Sequence, residues 1–212
     1  MKILHLGDLH LGKKFCEYSL IKDQEFVLKQ ALELVSVENI EAVLIAGDVF
    51  DRGIPPVEAV KIFNDFLCEL SKKNVSCFII AGNHDSAERL SYLSPLIEKE
   101  KIFIAKAFDE GFIENNNKIQ KISLNNKINI FLLPYVYPAL VRKFFPDFEI
   151  SNYNEALKLV LETAEIDETK TNIILAHQFV SFEGLIQSES EQKSVGLIDN
   201  ISYELFEKFD YV

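Results

Sequence analysis

The chain has 212 residues, 48% hydrophobic and 26% charged, enough to bury one sizeable α/β core. Its 33 acidic and 22 basic residues give a net charge of −11, which argues against a broad basic face that grips nucleic acid by counterion release. No apolar run nears the roughly 18–20 residues of a membrane span, the N-terminus lacks the basic-then-apolar pattern of a secretory signal, and the three cysteines (Cys16, Cys68, Cys77) have no CxxC spacing, so a soluble cytoplasmic protein with reduced thiols is expected.

The first third repeats one unit: an apolar run, a polar tip, then an amphipathic helix. "KILHLGD" (2–8) reads as a buried strand and precedes a helix near 20–37, where Val27, Ala31 and Leu34 with Leu28, Leu32 and Val35 make an apolar face. "EAVLIAGDVF" (41–50) is a second buried run. After it Pro55-Pro56 open a helix carrying Val60, Phe63, Leu67 and Leu70 at helical spacing. "SCFIIAGNHD" (76–85) is the third run, with a helix expected near 87–99. Strands alternating with helices predict a parallel sheet.

The middle of the chain changes character. "EGFIENNNKIQKISLNNKINIFLLPY" has asparagine-rich breaks at 115–117 and 125–126 between alternating apolar residues, which predicts an antiparallel meander. A helix near 152–164 and another buried run, "TNIILAHQFV" (171–180), follow. The polar stretch 181–196 reads as a surface loop, its Ser/Glu part at 187–194 as plain solvated chain, and "VRKFFP" (141–146) as helix packing rather than a nucleic-acid platform.

The informative regularity is where ligand-type residues stand. Each buried run ends in a small residue and then a polar one: Gly7-Asp8 with His10, Gly47-Asp48 with Asp51, Gly82-Asn83-His84-Asp85, and Ala176-His177. The carboxyl ends of parallel strands converge on one crevice, so these groups are expected to meet there. The glycines are read as allowing a backbone approach that a Cβ would block. Singly, Asp8 reads as a turn former, Asp48 and Asn83-His84-Asp85 as helix caps, and His177 as a buried structural histidine. Together they read as a hard-to-borderline ligand set suited to manganese, iron or magnesium, numerous enough for two ions roughly 3.5–4 Å apart. His84 is the candidate to assist a leaving oxygen. His5 is read as structural, and Arg52 as either guiding a phosphate or pairing with Asp51.

The set "GDLH", "GDVFD", "GNHD" and "AHQF" resembles the calcineurin-type metallophosphoesterase superfamily over the whole chain. Within it, "AGDVFDRGIPP" and the late "SESEQKSVGLID…FDYV" resemble the SbcD-type nuclease subunits of DNA double-strand-break repair. The resemblance implies one metallophosphoesterase domain over 1–212, an α/β fold with mixed central sheets sandwiched by helices and a metal site at strand carboxyl ends. By it, Asp8 and His10 hold a first metal, Asp48 bridges, and Asn83 and His177 hold a second; His84 is catalytic, while Asp51, Arg52 and Asp85 are possible phosphate-contacting or supporting residues. It further implies two Mn²⁺ (Mg²⁺ or Fe²⁺ as alternatives) and 3′-to-5′ exonuclease and endonuclease activity on DNA. A coiled-coil ATPase partner of the SbcC type is implied too, with homodimerisation through helices near 57–70 and 87–99.

Two features cut across that resemblance. "GDVFDRG" also fits the serine/threonine phosphatase pattern GDxxDRG, although those enzymes carry "GNHE" where this chain has "GNHD". In SbcD-like chains "FDYV" runs into "ALGHxH", whose histidines complete both metal sites, followed by capping and ATPase-docking regions. An N-terminal portion with an incomplete metal site and weak activity is therefore expected. The alternatives are a phosphatase or cyclic-nucleotide phosphodiesterase of the same superfamily, and a metal-free interaction scaffold.

Overall fold

The structure, a computed structural model, describes residues 1–181 and 200–212. The Ser/Glu stretch 187–194 and most of the loop expected at 181–196 lie outside the described residues. The chain divides into two compact units, Met1–Ala107 with Leu175–His177, and Phe108–Ile174 with Gln178–Val212. No helix among the described residues is long and apolar enough to cross a membrane.

The first unit is built on four parallel strands in the order β1 (Ile3–Leu6), β4 (Ala42–Ala46), β5 (Ser76–Ile80) and β6 (Ile102–Ile104). A two-stranded antiparallel hairpin, β2 (Lys14–Phe15) and β3 (Tyr18–Ser19), follows the first strand. The central strands "AVLIA" and "SCFII" are buried almost throughout, as interior parallel strands must be when both faces are covered. In register, Leu6 pairs with Ile45 and Ala46 with Ile80, so the first three strands end at one level. Helices α1 (Ile21–Val37) and α2 (Val57–Lys72) bury Leu28, Ala31, Val35, Ala59, Phe63, Phe66 and Leu70 in one core with Val43, Ile45, Cys77 and Ile79.

Those helices fall where the spacing predicts, but their buried stripes are narrower. Val27, Leu34 and Val60 stay exposed, because each helix has only one face on the core. The helix expected at 87–99 is broken into α3 (Ala87–Leu90) and α4 (Ser94–Ile97), followed by a 3₁₀ turn at Glu98–Glu100. Pro95 explains the break: it has no N–H to offer the carbonyl four residues back, and it fits only the first turn of a new helix. β6 is too short to have shown a period.

The second unit opens with α5 (Phe108–Glu114), where the meander reading expected a strand. Phe108 and Phe112 stand one helical turn apart and stack on each other, and Phe144 packs edge-on against both, so the segment buries its aromatics by helical rather than alternating spacing. Asn115 to Asn117 then close that helix, with the Asn117 N–H donating to the Phe112 carbonyl at 2.8 Å. The second break does turn two strands. β7 (Gln120–Leu124) and β8 (Ile128–Leu133) are antiparallel, and Asn125 and Asn126 adopt φ of 49° and 59°, the left-handed pair that a tight hairpin needs. α6 (Pro138–Val141) and α7 (Tyr153–Glu162) lead to β9 (Thr171–Ala176), which neighbours β8. β10 (Val180–Ser181) and β11 (Ile201–Ser202) form a parallel pair, and Tyr211 bridges in parallel to Ile173. All three cysteines are free thiols, Cys77 buried and the other two exposed.

Candidate metal centre

Three loops leave the carboxyl ends of β1, β4 and β5, and backbone hydrogen bonds zip the first two together. Asp8 N–H donates to the Gly47 carbonyl (3.2 Å), His10 N–H to that of Asp48 (2.9 Å) and Leu11 N–H to that of Val49 (2.9 Å). The half-buried Asp85 carboxylate ties the second loop to the third by accepting the N–H groups of Val49, Phe50 and Gly82 at 3.0, 2.8 and 3.0 Å. Burial pushes the Asp85 carboxyl up, and Asp48 beside it adds to this against the pull of those three N–H donors. Asp8, His10 and Asp48 take positive φ of 53°, 42° and 48°, so three of the expected ligand positions hold left-handed backbone at a cost that the surrounding hydrogen bonds must offset.

The glycines differ in what they do. A Cβ on Gly82 would lie 2.1 Å from the Asp48 Oδ1 and 2.4 Å from its backbone nitrogen, and one on Gly47 would lie 2.5 Å from the His177 ring. Both positions must lack a side chain for the aspartate and the histidine to come in. Gly7 corrects the expectation: its nearest neighbour would stand 3.8 Å away, an ordinary contact, so the exit from β1 does not require glycine.

The expected residues converge on Asp48. Its carboxylate is almost fully buried, Oδ1 accepts the His84 backbone N–H at 2.9 Å, and Oδ2 stands 3.5 Å from the Nε2 of both His10 and His177. Asp8 Oδ1 lies 3.8 Å from His10 Nε2, and the His10 ring meets the His84 ring edge-on at 4.9 Å between centroids. Two ligand groups result, His10–Asp48–His84 and Asp8–Asp48–His177, each with its ligand atoms within 4.8 Å of one another and with Asp48 common to both. Asn83 joins the second, its Oδ1 3.2 Å from His177 Nε2. Asp51 Oδ1 lies 3.9 Å from His10 Nδ1, and Arg52 is exposed with its guanidinium 4.0 Å from Asp51. His5 is exposed on β1 and belongs to neither group.

The ring nitrogens of His177 have different neighbours. His177 Nδ1 is 2.7 Å from the Ala46 carbonyl, which can only accept, so Nδ1 carries the hydrogen. Nε2 then faces the oxygens of Asp48 and Asn83 at 3.5 and 3.2 Å. Such an arrangement asks for a cation. Burial drives the His177 imidazole down, but the Asp48 carboxylate and the Ala46 carbonyl outweigh it and hold its pKa above the ordinary value. Burial likewise drives the Asp48 carboxyl up, and the His177 imidazole and His84 N–H outweigh it to leave it lowered. Ligands on one ion at about 2.0–2.2 Å stand about 3–3.5 Å apart, close to the spacing found here, so the donor set fits divalent cations.

The calcineurin-like phosphoesterase family model matches residues 1–210. The chain belongs to that family. This phosphoesterase chain is 31% identical over 216 residues to the SbcD component of the nuclease SbcCD from Staphylococcus saprophyticus and 32% identical to that of Staphylococcus epidermidis, in each case over 100% of this chain and 55% of the relative. It therefore spans about half the length of the curated relatives it matches. The crystal structure of a dimetal phosphatase from Danio rerio aligns with a TM-score of 0.48 at 14% identity, covering 84% of this chain and 70% of the other. A metal-dependent phosphoesterase family and a centre of histidines and aspartates able to hold metal agree with each other.

One contributor escaped the sequence reading. Gln24, on α1, accepts the Gly12 N–H at 2.9 Å and donates to the carbonyls of His10 (2.7 Å) and Leu9 (3.2 Å). The available signal was its position: Gln24, Leu28, Ala31 and Val35 recur at helical spacing, so a polar residue stands at the head of the buried stripe.

Proposed function

We propose that this chain is the nuclease portion of an SbcD-type subunit that hydrolyses DNA phosphodiester bonds, as 3′-to-5′ exonuclease and endonuclease, with two divalent cations, manganese foremost. The observation that carries the reading is the shared Asp48 oxygen, equidistant from the imidazoles of His10 and His177. The choice of DNA over small phosphate esters is supported by the similarity to the SbcD components of two staphylococcal SbcCD nucleases along the whole of this chain. In this reading Asp8, which stands 3.8 Å from His10 Nε2 as well as grouping with His177, joins His10 and Asp48 on one ion, Asp48, Asn83 and His177 hold the other, and His84 is left free of metal for the proton transfer. Bound there, the ions supply hydroxide near neutral pH and neutralise charge on the phosphate oxygens.

The chain's own residues do the rest. His84 donates its Nδ1 hydrogen to the Asp51 carbonyl at 3.0 Å, which fixes the ring; Nε2 first takes up a proton from water, and from the imidazolium so formed it hands that proton to the leaving oxygen and returns to the neutral ring. Asp85 and Gln24 hold the loops that carry these groups. The acidic surface supplies little grip on DNA, so a coiled-coil ATPase partner of the SbcC type and a second copy of the subunit belong to the same proposal.

The test is hydrolysis at low salt and micromolar protein. With Mn²⁺, slow release of nucleotides from the 3′ ends of duplex DNA is expected, with none from Asp48→Asn and a severe loss in His84→Ala. Mn²⁺-dependent cleavage of p-nitrophenyl phosphate without any cleavage of DNA would replace the nuclease reading with the phosphatase one.

A further inference from the structure

We propose that Gln24 is a positioning residue of the metal centre: from α1 it fixes the backbone of residues 9–12 and so sets where His10 presents its imidazole. The inference rests on the metal reading above and adds a residue outside every ligand-bearing loop. The loop it holds is unusual. Asp8, His10 and Gly12 take φ of 53°, 42° and 90°, so three of five consecutive residues have left-handed backbone and the segment cannot continue the β1 ladder. Its own ties to the β4 loop use the N–H groups of Asp8, His10 and Leu11, and they leave the Leu9 carbonyl and the Gly12 N–H to be satisfied elsewhere.

A primary amide offers one acceptor oxygen and two donor hydrogens, and Gln24 uses them all on this loop. Its Oε1 takes the Gly12 N–H, and its Nε2 gives to the carbonyls of Leu9 and His10, the latter bond at 2.7 Å. No single charged side chain could do the same: a carboxylate has no hydrogen for the two carbonyls, and an ammonium has no acceptor for the N–H. Packing does not explain the residue either. It shares a stripe with the buried Leu28, Ala31 and Val35, where leucine or methionine would fill the same volume without a polar group to satisfy. The loop it shapes places His10 Nε2 3.5 Å from Asp48 and 3.8 Å from Asp8.

The test uses long-range ¹H–¹⁵N spectra of the imidazoles during titration with Zn²⁺, a diamagnetic probe that moves the resonance of a nitrogen it binds. In the wild-type chain the Nε2 signals of His10 and His177 are expected to move and those of His5 to stay. In Gln24→Leu the Zn²⁺ concentration that moves His10 should rise by about 10–100-fold, the cost typical of removing a group that orients a metal-bound histidine, with a smaller rise at His177. Gln24→Glu keeps the acceptor for Gly12 but not the two donors; it should fall between, and it carries the test if the leucine variant does not fold. A lower melting temperature with unchanged His10 titration, or equal losses at His10 and His177, would overturn the proposal. If no wild-type histidine moves, the metal reading falls and this one with it, a result distinct from either of those.

Discussion

Gly82 and Gly7 both precede residues of the centre, yet only one is held there by geometry. A methyl at Gly82 collides with the Asp48 carboxylate and with its backbone nitrogen, neither of which can swing away without moving the β4 loop. Gly82→Ala is therefore expected to cost about 1–3 kcal/mol, the usual range for overpacking, whereas Gly7→Ala should stay within about 0.5 kcal/mol of wild type; urea unfolding measures both. The Asp48–His177 pair gives a second prediction. A histidine whose folded pKa is raised stabilises fully below its unfolded value and loses that contribution as pH rises through the folded one. Asp48, lowered, loses its contribution as pH falls through its own depressed value, so in the metal-free chain the pair stabilises between those limits. Because a metal needs the unprotonated imidazole, affinity for Mn²⁺ should climb as pH rises through the raised His177 value. In His177→Ala the share of that slope that comes from this imidazole should be lost and the share from His10 should remain, which calorimetry at several pH values would register.

At the scale of elements, the strands and long helices of the first unit could be read from the chain because burial imposes a period on them. "AVLIA" and "SCFII" are continuous apolar runs, and Leu28, Ala31 and Val35 recur on one helical face. The misreadings have local causes. Pro95 interrupts a pattern that hydrophobic spacing alone extends to 99, and Phe108 and Phe112 are four apart in a segment whose asparagines suggested a hairpin. That these residues would meet was legible because unlike residue types recur at one structural place, the end of a strand. Gln24 was not, since its partners are main-chain groups that the sequence does not display. α7 shows a boundary that is written plainly: Asn152 accepts the Glu155 N–H at 2.9 Å, and the Glu155 carboxylate reaches back to the Ser151 N–H at 2.7 Å. Asn152→Ala should cost about 1 kcal/mol in thermal unfolding, the common value for a lost cap. A change below a few tenths would mean that the second unit holds this helix by packing alone.

For the molecule as a whole, the account rests on one carboxylate serving two cations. On the proposed reading, the net charge of −11 would leave the metals as the chain's main attraction for a phosphate backbone, so the centre would have to concentrate positive charge where the surface does not. Sharing Asp48 does so by setting both ligand groups on one buried anion. Electron paramagnetic resonance of the chain with two equivalents of Mn²⁺ tests this directly. A magnetically coupled manganese pair is expected in the wild type, and in Asp48→Asn the coupling should disappear and leave at most isolated ions. Uncoupled manganese in the wild type, or a coupled pair that survives the loss of the Asp48 carboxylate, would contradict the account.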